Sequence, residues 1–143
     1  MIQISQDDLL RALKRCKGIA KQDLLPSSNV PQSDFRKTHA EARRETYTKL
    51  IELVEGEGTQ DACVFAFKEY QDLPDIPNGG GGADPATLGH AQALEIFFNV
   101  IGINRSQMQM LHDHRIDFNQ LLDYHPFIAD EFNQEEFNHQ SLV

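Results

Sequence analysis

The chain has two cysteines, no tryptophan and no long hydrophobic run. Cys16 and Cys63 cannot build a disulfide framework, and each has apolar neighbours, so we expect buried free thiols. The longest apolar runs are about six residues, far short of the ~20 that a membrane-spanning helix needs. No basic segment followed by an apolar one opens the chain, as a signal peptide would require. These absences predict a cytoplasmic protein with no membrane span.

Basic residues are scarce in the second part of the chain. Residues 1–54 carry ten Lys/Arg and seven Asp/Glu, whereas residues 55–143 carry three Lys/Arg and fifteen Asp/Glu. The whole chain has a formal net charge of −9. Such segregation bears on solubility, association and the sign of the partner, but it does not specify a fold.

The length and composition predict one globular domain. The 143 residues are 40% hydrophobic and include nine Phe and three Tyr, which is enough apolar volume for one core. Two domains of half this length would each have a marginal core. We therefore expect residues 1–143 to form a single helical domain, with loops at 24–33 and 73–84 and a frayed end after about residue 138.

Two amphipathic helices are predicted before residue 56. Ser5 is a suitable N-cap for a helix over residues 5–22, whose apolar positions recur at helical spacing and whose other side is basic. Two prolines and two serines mark the following loop. Ser33 is a plausible N-cap for the next helix, at residues 34–55.

The middle of the chain combines one ambiguous segment with one clear break. Thr59 can cap a short helix that continues to Tyr70, but the apolar run 62–67 also suits a buried strand. We favour a helix because no partner strand is evident. Four consecutive glycines, Gly79–Gly82, predict a flexible loop, and no Lys-Ser/Thr pair follows them to form a phosphate-binding loop.

Three or four more helices are expected in the second half. Asp84-Pro85 is a cap followed by a first-turn proline, and the helix that they open should end near Gly102. Ser106-Gln107-Met108-Gln109 and Asp117-Phe118-Asn119-Gln120 both have the form of a capping box. Pro126 permits one further helix. The total of six to seven helices predicts an all-α, irregular bundle with a Gly-rich loop near its middle.

A set of late histidines and acids is the main candidate for a metal site. His and carboxylate side chains bind metals when several of them converge on one point. On a continuous helix His112 and His114 diverge by about 200°, so they converge only if the helix ends there. Glu136 and His139 have the E-x-x-H spacing of di-iron carboxylate bundles, but that pair occurs once. The candidate ligands are His112, Asp113, His114, Glu136 and His139.

Other reactive side chains have simpler structural interpretations. Cys16 has basic neighbours, which lower a thiol pKa, but it falls in the apolar stripe of its helix, where burial raises that pKa. His90 is on the most apolar helix, where a histidine is usually packed with one nitrogen satisfied. No catalytic residue and no cofactor are assigned from the sequence.

Charge supplies the remaining candidates for a binding surface. The basic first helix matches nucleic acid in sign, but the net charge is negative and no aromatic residues interleave with the basic ones, so nucleic acid is not the expected partner. The basic helix and the acidic half can instead face each other, within one chain or across a homodimer. The candidate partner-binding residues are Lys14, Arg15, Lys17, Asp130, Glu131, Glu135 and Glu136.

These observations favour a non-enzymatic helical interaction protein. An inhibitor, an immunity protein or a regulatory protein would use an acidic half to meet a basic partner surface by electrostatic steering. Two alternatives stay open at this point: a metal-binding helical protein or metalloenzyme that uses the late His/Asp/Glu residues, and a homo-oligomeric structural or regulatory protein.

Overall fold

The computed structural model describes residues 4–25, 33–74, 84–117 and 120. Within these ranges the protein is all-helical, as the sequence predicts, and five α-helices are seen. Their bounds are α1 Gln6–Gln22, α2 Ser33–Gly56, α3 Thr59–Gln71, α4 Pro85–Ile101 and α5 Arg105–His112.

Only the first residues of the predicted sixth helix, Asp117 and Gln120, fall within these ranges; the rest of it, the predicted seventh helix, the Gly79–Gly82 loop and the C-terminal end lie outside them. The total of six to seven helices therefore stays a prediction, as does the single-domain assignment for the whole chain.

Helix α1 begins and packs as its sequence indicates. The Ser5 hydroxyl accepts a hydrogen bond from the Asp8 backbone N–H at 3.1 Å, and Asp7 and Asp8 place negative charge in the first turn. Leu9 and Leu13 are fully buried against the core. The Gln6 side-chain amide donates to the Val54 carbonyl at 3.1 Å, so the start of α1 lies beside the end of α2.

Helices α2 and α4 approach each other closely at Gly89. A Cβ atom built on Gly89 would overlap the backbone carbonyl of His39 and touch the Ala42 side chain. Position 89 therefore requires glycine because the two helix backbones leave no room for a side chain, and not because of an unusual φ angle. This crossing fixes how α4, the most apolar helix, sits on α2.

Residues 62–67, whose apolar run suits either a helix or a strand, are helical and belong to α3. Ala62, Cys63, Ala66 and Phe67 are all fully buried, which is the spacing of one helix face. The expected cap was wrong by one position, because Gly58 is the N-cap and Thr59 is the first helical residue. Gly58 takes a φ of 101°, which lets the chain turn sharply between α2 and α3.

The ends of α4 match the expected signals. The Asp84 carboxylate accepts a hydrogen bond from the Thr87 N–H at 3.3 Å, and Pro85 occupies the first turn. Gly102 ends the helix in the left-handed conformation, with a φ of 90°.

The expected capping box at Ser106 was wrong. Helix α5 is capped by Asn104, whose side chain accepts from the Gln107 N–H at 2.8 Å while the Gln107 side chain accepts from the Asn104 N–H at 3.1 Å. Ile103 is buried, so the chain enters the core before the helix starts and Asn104 becomes the cap. The box at Asp117 and Gln120 is confirmed by reciprocal hydrogen bonds of 2.8 and 2.9 Å.

One hydrophobic cluster contains residues from all five helices. Its centre is aromatic: the Phe98 ring lies 5.6 Å from that of Phe67, 5.2 Å from that of Tyr70 and 6.1 Å from that of Phe97. The tilted and edge-on arrangements are those that favour ring pairs. This cluster holds α3, α4 and α5 at fixed positions relative to the α1–α2 pair.

Candidate functional site

The predicted basic residues lie on the outward side of α1. Lys14 and Arg15 are exposed, and Lys17 is half-buried at the edge of that side. We call the outward surface of α1 the basic face, and its residues are Arg11, Lys14, Arg15, Gly18 and Lys21.

Ion pairs on the basic face are few and weak. Arg11 lies 3.5 Å from Asp8 and Lys14 lies 3.7 Å from Glu55, in both cases between well-exposed side chains. Such surface pairs contribute about 0–1 kcal/mol. Arg15 forms no ion pair with any residue of the described ranges. Most of the positive charge on this face is therefore available to a partner.

Gly18 lies at the centre of the basic face and is exposed. A Cβ atom built there would meet nothing within 4 Å. A glycine inside a helix lowers its stability by roughly 1 kcal/mol relative to alanine. No neighbour among the described residues is close enough to require a glycine at this position.

The four acidic candidates Asp130, Glu131, Glu135 and Glu136 lie outside the described residues. In the part of the acidic half that the structure does describe, Glu57, Asp61 and Asp72 are exposed. None of these three forms an ion pair with a described residue.

The metal candidates are only partly described. Helix α5 ends at His112, which meets the condition for His112 and His114 to approach each other, and His114 has a φ of 61°. His112, however, is engaged with the segment that follows α3, because its Nε2 lies 2.8 Å from the Leu73 carbonyl oxygen. Asp113 accepts from Gln109 and Arg115, at 3.0 and 3.3 Å. Residues 4–25, 33–74 and 84–117 contain no group of three or more potential ligands arranged to hold a metal ion.

Glu136 and His139 lie beyond those ranges. The full five-residue metal site therefore stays a prediction, and elemental analysis of untagged protein tests it directly.

His90 joins three helices through a polar chain. Its Nδ1 lies 2.7 Å from the Thr46 hydroxyl oxygen, which itself donates to the Ala42 carbonyl at 2.8 Å. Its Nε2 lies 3.9 Å from the Glu69 carboxylate. Thr46 is 5% exposed and its hydroxyl is bonded within its own helix, so it is not presented as a nucleophile. The expected structural role is confirmed, because the ring is packed between helices and its Nδ1 is satisfied by the hydrogen bond with Thr46.

A small cleft lies where α3, α4 and α5 meet. Its volume is about 190 Å³, and it is lined by Tyr70, Glu95, Asn99, Arg105, Met108 and Gln109. The Tyr70 hydroxyl donates to Glu95 at 3.1 Å. Burial, and then the neighbouring Glu95 charge, raise the pKa of Tyr70, so the phenol stays protonated and committed to Glu95. Nothing in the sequence marks this pair, because its members are 25 positions apart.

The cysteines match the expectation of free thiols. Burial raises the pKa of the Cys16 thiol, and its hydrogen bond to Tyr47 and the charge of Arg15 only partly oppose that effect. Cys63 is fully buried, and burial raises its pKa as well. A thiol is nucleophilic only as the thiolate, so neither cysteine is activated.

We expect both cysteines to react slowly with a thiol reagent at neutral pH in the native state. Both should react fully in denaturant, with Cys16 the faster of the two in native protein because Cys63 is completely enclosed. Ellman's reagent with Cys16→Ser and Cys63→Ser variants assigns the two rates. Native Cys16 that labels as fast as a small free thiol would show that its environment activates it.

His39 predicts a pH dependence of stability. Burial, and then the nearby Arg43 charge, lower the pKa of His39 below 6.5, against a smaller opposing effect of Asp23. The unfolded chain therefore binds this proton first as the pH falls, so the free energy of unfolding decreases from about pH 7 toward about pH 5. Chemical denaturation across that range should show a shallower slope for His39→Gln than for the wild type. Identical slopes would contradict the lowered pKa.

Comparisons with protein-family models, curated proteins and solved structures find no match to this chain. None of the helices that the structure describes is both long enough and apolar enough to cross a membrane.

Proposed function

We propose that this chain is a non-enzymatic interaction protein, an inhibitor, immunity or regulatory protein that binds a basic partner surface through its acidic C-terminal half. The observation that carries the proposal is the charge segregation, with fifteen Asp/Glu and three Lys/Arg after residue 54. An excess of one sign on a surface accelerates association with a surface of opposite sign.

The engagement of the reactive groups supports a binding role. Thr46 and His90 contact each other across α2 and α4, and His112 lies 2.8 Å from the Leu73 carbonyl oxygen. The Tyr70 hydroxyl is bonded to Glu95, and the pKa values of both cysteines are raised. A catalytic set instead needs a nucleophile and a base within reach of each other and of a substrate.

The state of the exposed acids supports the same role. Glu57, Asp61 and Asp72 are exposed and form no ion pair with described residues, so a cationic partner does not have to break existing contacts to reach them. The cost of binding through such groups is the partial loss of their hydration, which direct hydrogen bonds to Lys or Arg offset.

Affinity purification from the source organism at two salt concentrations tests the proposal. At about 0.05 M salt we expect basic partner proteins to be recovered, and at about 0.5 M we expect them to be lost, since screening shortens the reach of surface charge. Equal recovery of the same proteins at both concentrations would rule out electrostatic binding by the acidic half.

A further inference from the structure

We propose that the cleft where α3, α4 and α5 meet binds a small α-amino acid, with the ammonium group of the ligand against Glu95 and its carboxylate against Arg105. All the residues that line this cleft belong to the described part of the chain. The site goes beyond the proposed contact with a basic partner surface, because it takes a small molecule and uses charges of both signs.

Two side chains of opposite charge line the cleft without an ion pair between them. Among the described residues, neither the Glu95 carboxylate nor the Arg105 guanidinium forms an ion pair. A ligand that carried only a positive charge would meet Arg105, and one that carried only a negative charge would meet Glu95. A small zwitterion pairs with both side chains at once through charge-assisted hydrogen bonds.

The Glu95 carboxylate is held in position before a ligand arrives. The Tyr70 hydroxyl donates a hydrogen bond to its Oε1 at 3.1 Å, and the Tyr70 ring packs edge-on against the ring of Phe98 at 5.2 Å. The Oε2 atom of Glu95 accepts no hydrogen bond from a described residue, so it is available to the three N–H donors of an ammonium group. Preorganisation of this kind lowers the entropic cost of binding.

Arg105 and Asn99 supply donors for the carboxylate of the ligand, and both are exposed at the cleft. A guanidinium group carries parallel N–H donors in the geometry that a carboxylate accepts. The Asn99 side-chain amide makes no hydrogen bond to a described residue, so its N–H groups are available as well. The capping box of Asn104 and Gln107 fixes the start of α5 and therefore the backbone position of Arg105.

The volume of the cleft limits the size of the ligand. It is about 190 Å³, whereas sites for drug-sized ligands measure roughly 300–1,000 Å³. Met108, which is buried, is the one residue of the lining without a polar side chain, so a large hydrophobic side chain would find little apolar surface there. Glycine, L-alanine and L-serine fit these limits.

Titration of purified, isotope-labelled full-length protein with these three amino acids tests the site. Two-dimensional NMR follows the backbone amide signals. For at least one of the three we expect saturable shifts at Glu95, Asn99, Arg105 and Gln109, with a dissociation constant on the order of 1 mM or lower. The amides of α1, which does not line the cleft, should not shift. No saturable shift at the cleft with any of the three at about 20 mM would overturn the proposal.

Two derivatives of the amino acid that binds best separate the two charged contacts. The N-acetyl derivative lacks the ammonium group, and the amide derivative lacks the carboxylate. Each should bind at least roughly tenfold more weakly than the amino acid, because one charged side chain of the cleft is left unpaired. Equal affinity for the amino acid and either derivative would overturn the assignment of a zwitterion.

Two variants assign each contact to its side chain. Glu95→Gln keeps an oxygen that accepts from Tyr70, and it should abolish the preference for the amino acid over its N-acetyl derivative. Arg105→Gln should abolish the preference for the amino acid over its amide derivative. An equal loss of affinity for all three ligands would contradict the assigned contacts, because a change in the shape of the cleft would then explain it.

The matched controls are Glu57→Gln and Arg44→Gln, which make the same charge changes at exposed residues that do not line the cleft. We expect them to leave the dissociation constant within about twofold of the wild-type value. Circular dichroism confirms that each variant is folded. Because the titration uses purified protein without a partner, this site and the proposed function can fail separately.

Discussion

Replacing Phe98 with alanine is expected to lower the free energy of unfolding by about 3–5 kcal/mol. The side chain is fully buried, and its ring contacts the rings of Phe67, Tyr70 and Phe97 from two helices. Truncation removes the transfer free energy of the ring and leaves a cavity that these rigid neighbours cannot fill. Urea denaturation monitored by circular dichroism gives the change.

Two other phenylalanine variants make the Phe98 result specific. Phe98→Leu keeps most of the volume and should cost roughly 1.5 kcal/mol or less. Phe35→Ala removes a ring that is 40% exposed and stacked on His39 at 6.3 Å, so its effect should be much smaller than that of Phe98→Ala. Similar losses for Phe35→Ala and Phe98→Ala would contradict the position of the aromatic cluster at the centre of the core.

Replacing Gly89 with alanine is expected to lower the free energy of unfolding by about 1–3 kcal/mol. The added methyl group would overlap the His39 carbonyl, a backbone atom that cannot rotate away, so α2 and α4 must separate. This cost exceeds the roughly 1 kcal/mol that alanine gains over glycine inside a helix. The same denaturation measurement detects the net loss.

Gly56→Ala is the matched control for Gly89→Ala. It is also a helical glycine, but a Cβ atom there meets nothing within 4 Å. We expect its stability to stay the same or to rise by up to about 1 kcal/mol. A Gly89→Ala variant as stable as the Gly56→Ala variant would show that the two helices do not approach as closely as the structure places them.

The helix boundaries that sequence reasoning predicted correctly are those with short-range signals. Ser5, Asp84, Pro85 and Gly102 act on backbone groups within about four positions, so their pattern is complete in the sequence. The wrong prediction of a capping box at Ser106 also depended on a short-range signal. Asn104 and Gln107 form an equally good box, and only the burial of Ile103 selects between the two starts.

Long-range contacts could not be predicted in this way. In the sequence, Gly89 is only a residue that weakens an apolar helix, and the close contact with α2 that requires it is not visible. In the sequence, His112 is a candidate metal ligand, and its contact with the Leu73 carbonyl, 39 positions away, is not visible. Residues 62–67 are apolar throughout, so their periodicity does not separate a helix from a strand, and the burial pattern in three dimensions decides.

The sequence predicted which basic residues form the basic face of α1, but not how they are arranged around Gly18. The spacing of Lys14 and Arg15 placed them correctly on the polar side of α1. The sequence did not reveal that Gly18 lies at the centre of that side or that Ile19 and Leu25 are uncovered near it. Exposure depends on which helices pack around α1, and this follows from the whole fold.

Partner binding by the acidic C-terminal half is the central claim, and neutralising its four candidate carboxylates tests it most directly. Asp130→Asn, Glu131→Gln, Glu135→Gln and Glu136→Gln are combined in one variant. The matched control neutralises four exposed acids of α2, outside the acidic half, at Asp34, Glu41, Glu45 and Glu52, with the same change in net charge.

Both variants and the wild type are used to recover partners at low salt. The account predicts that the basic proteins bound by the wild type are lost with the C-terminal variant and largely kept with the control. Undiminished recovery by the C-terminal variant would contradict it.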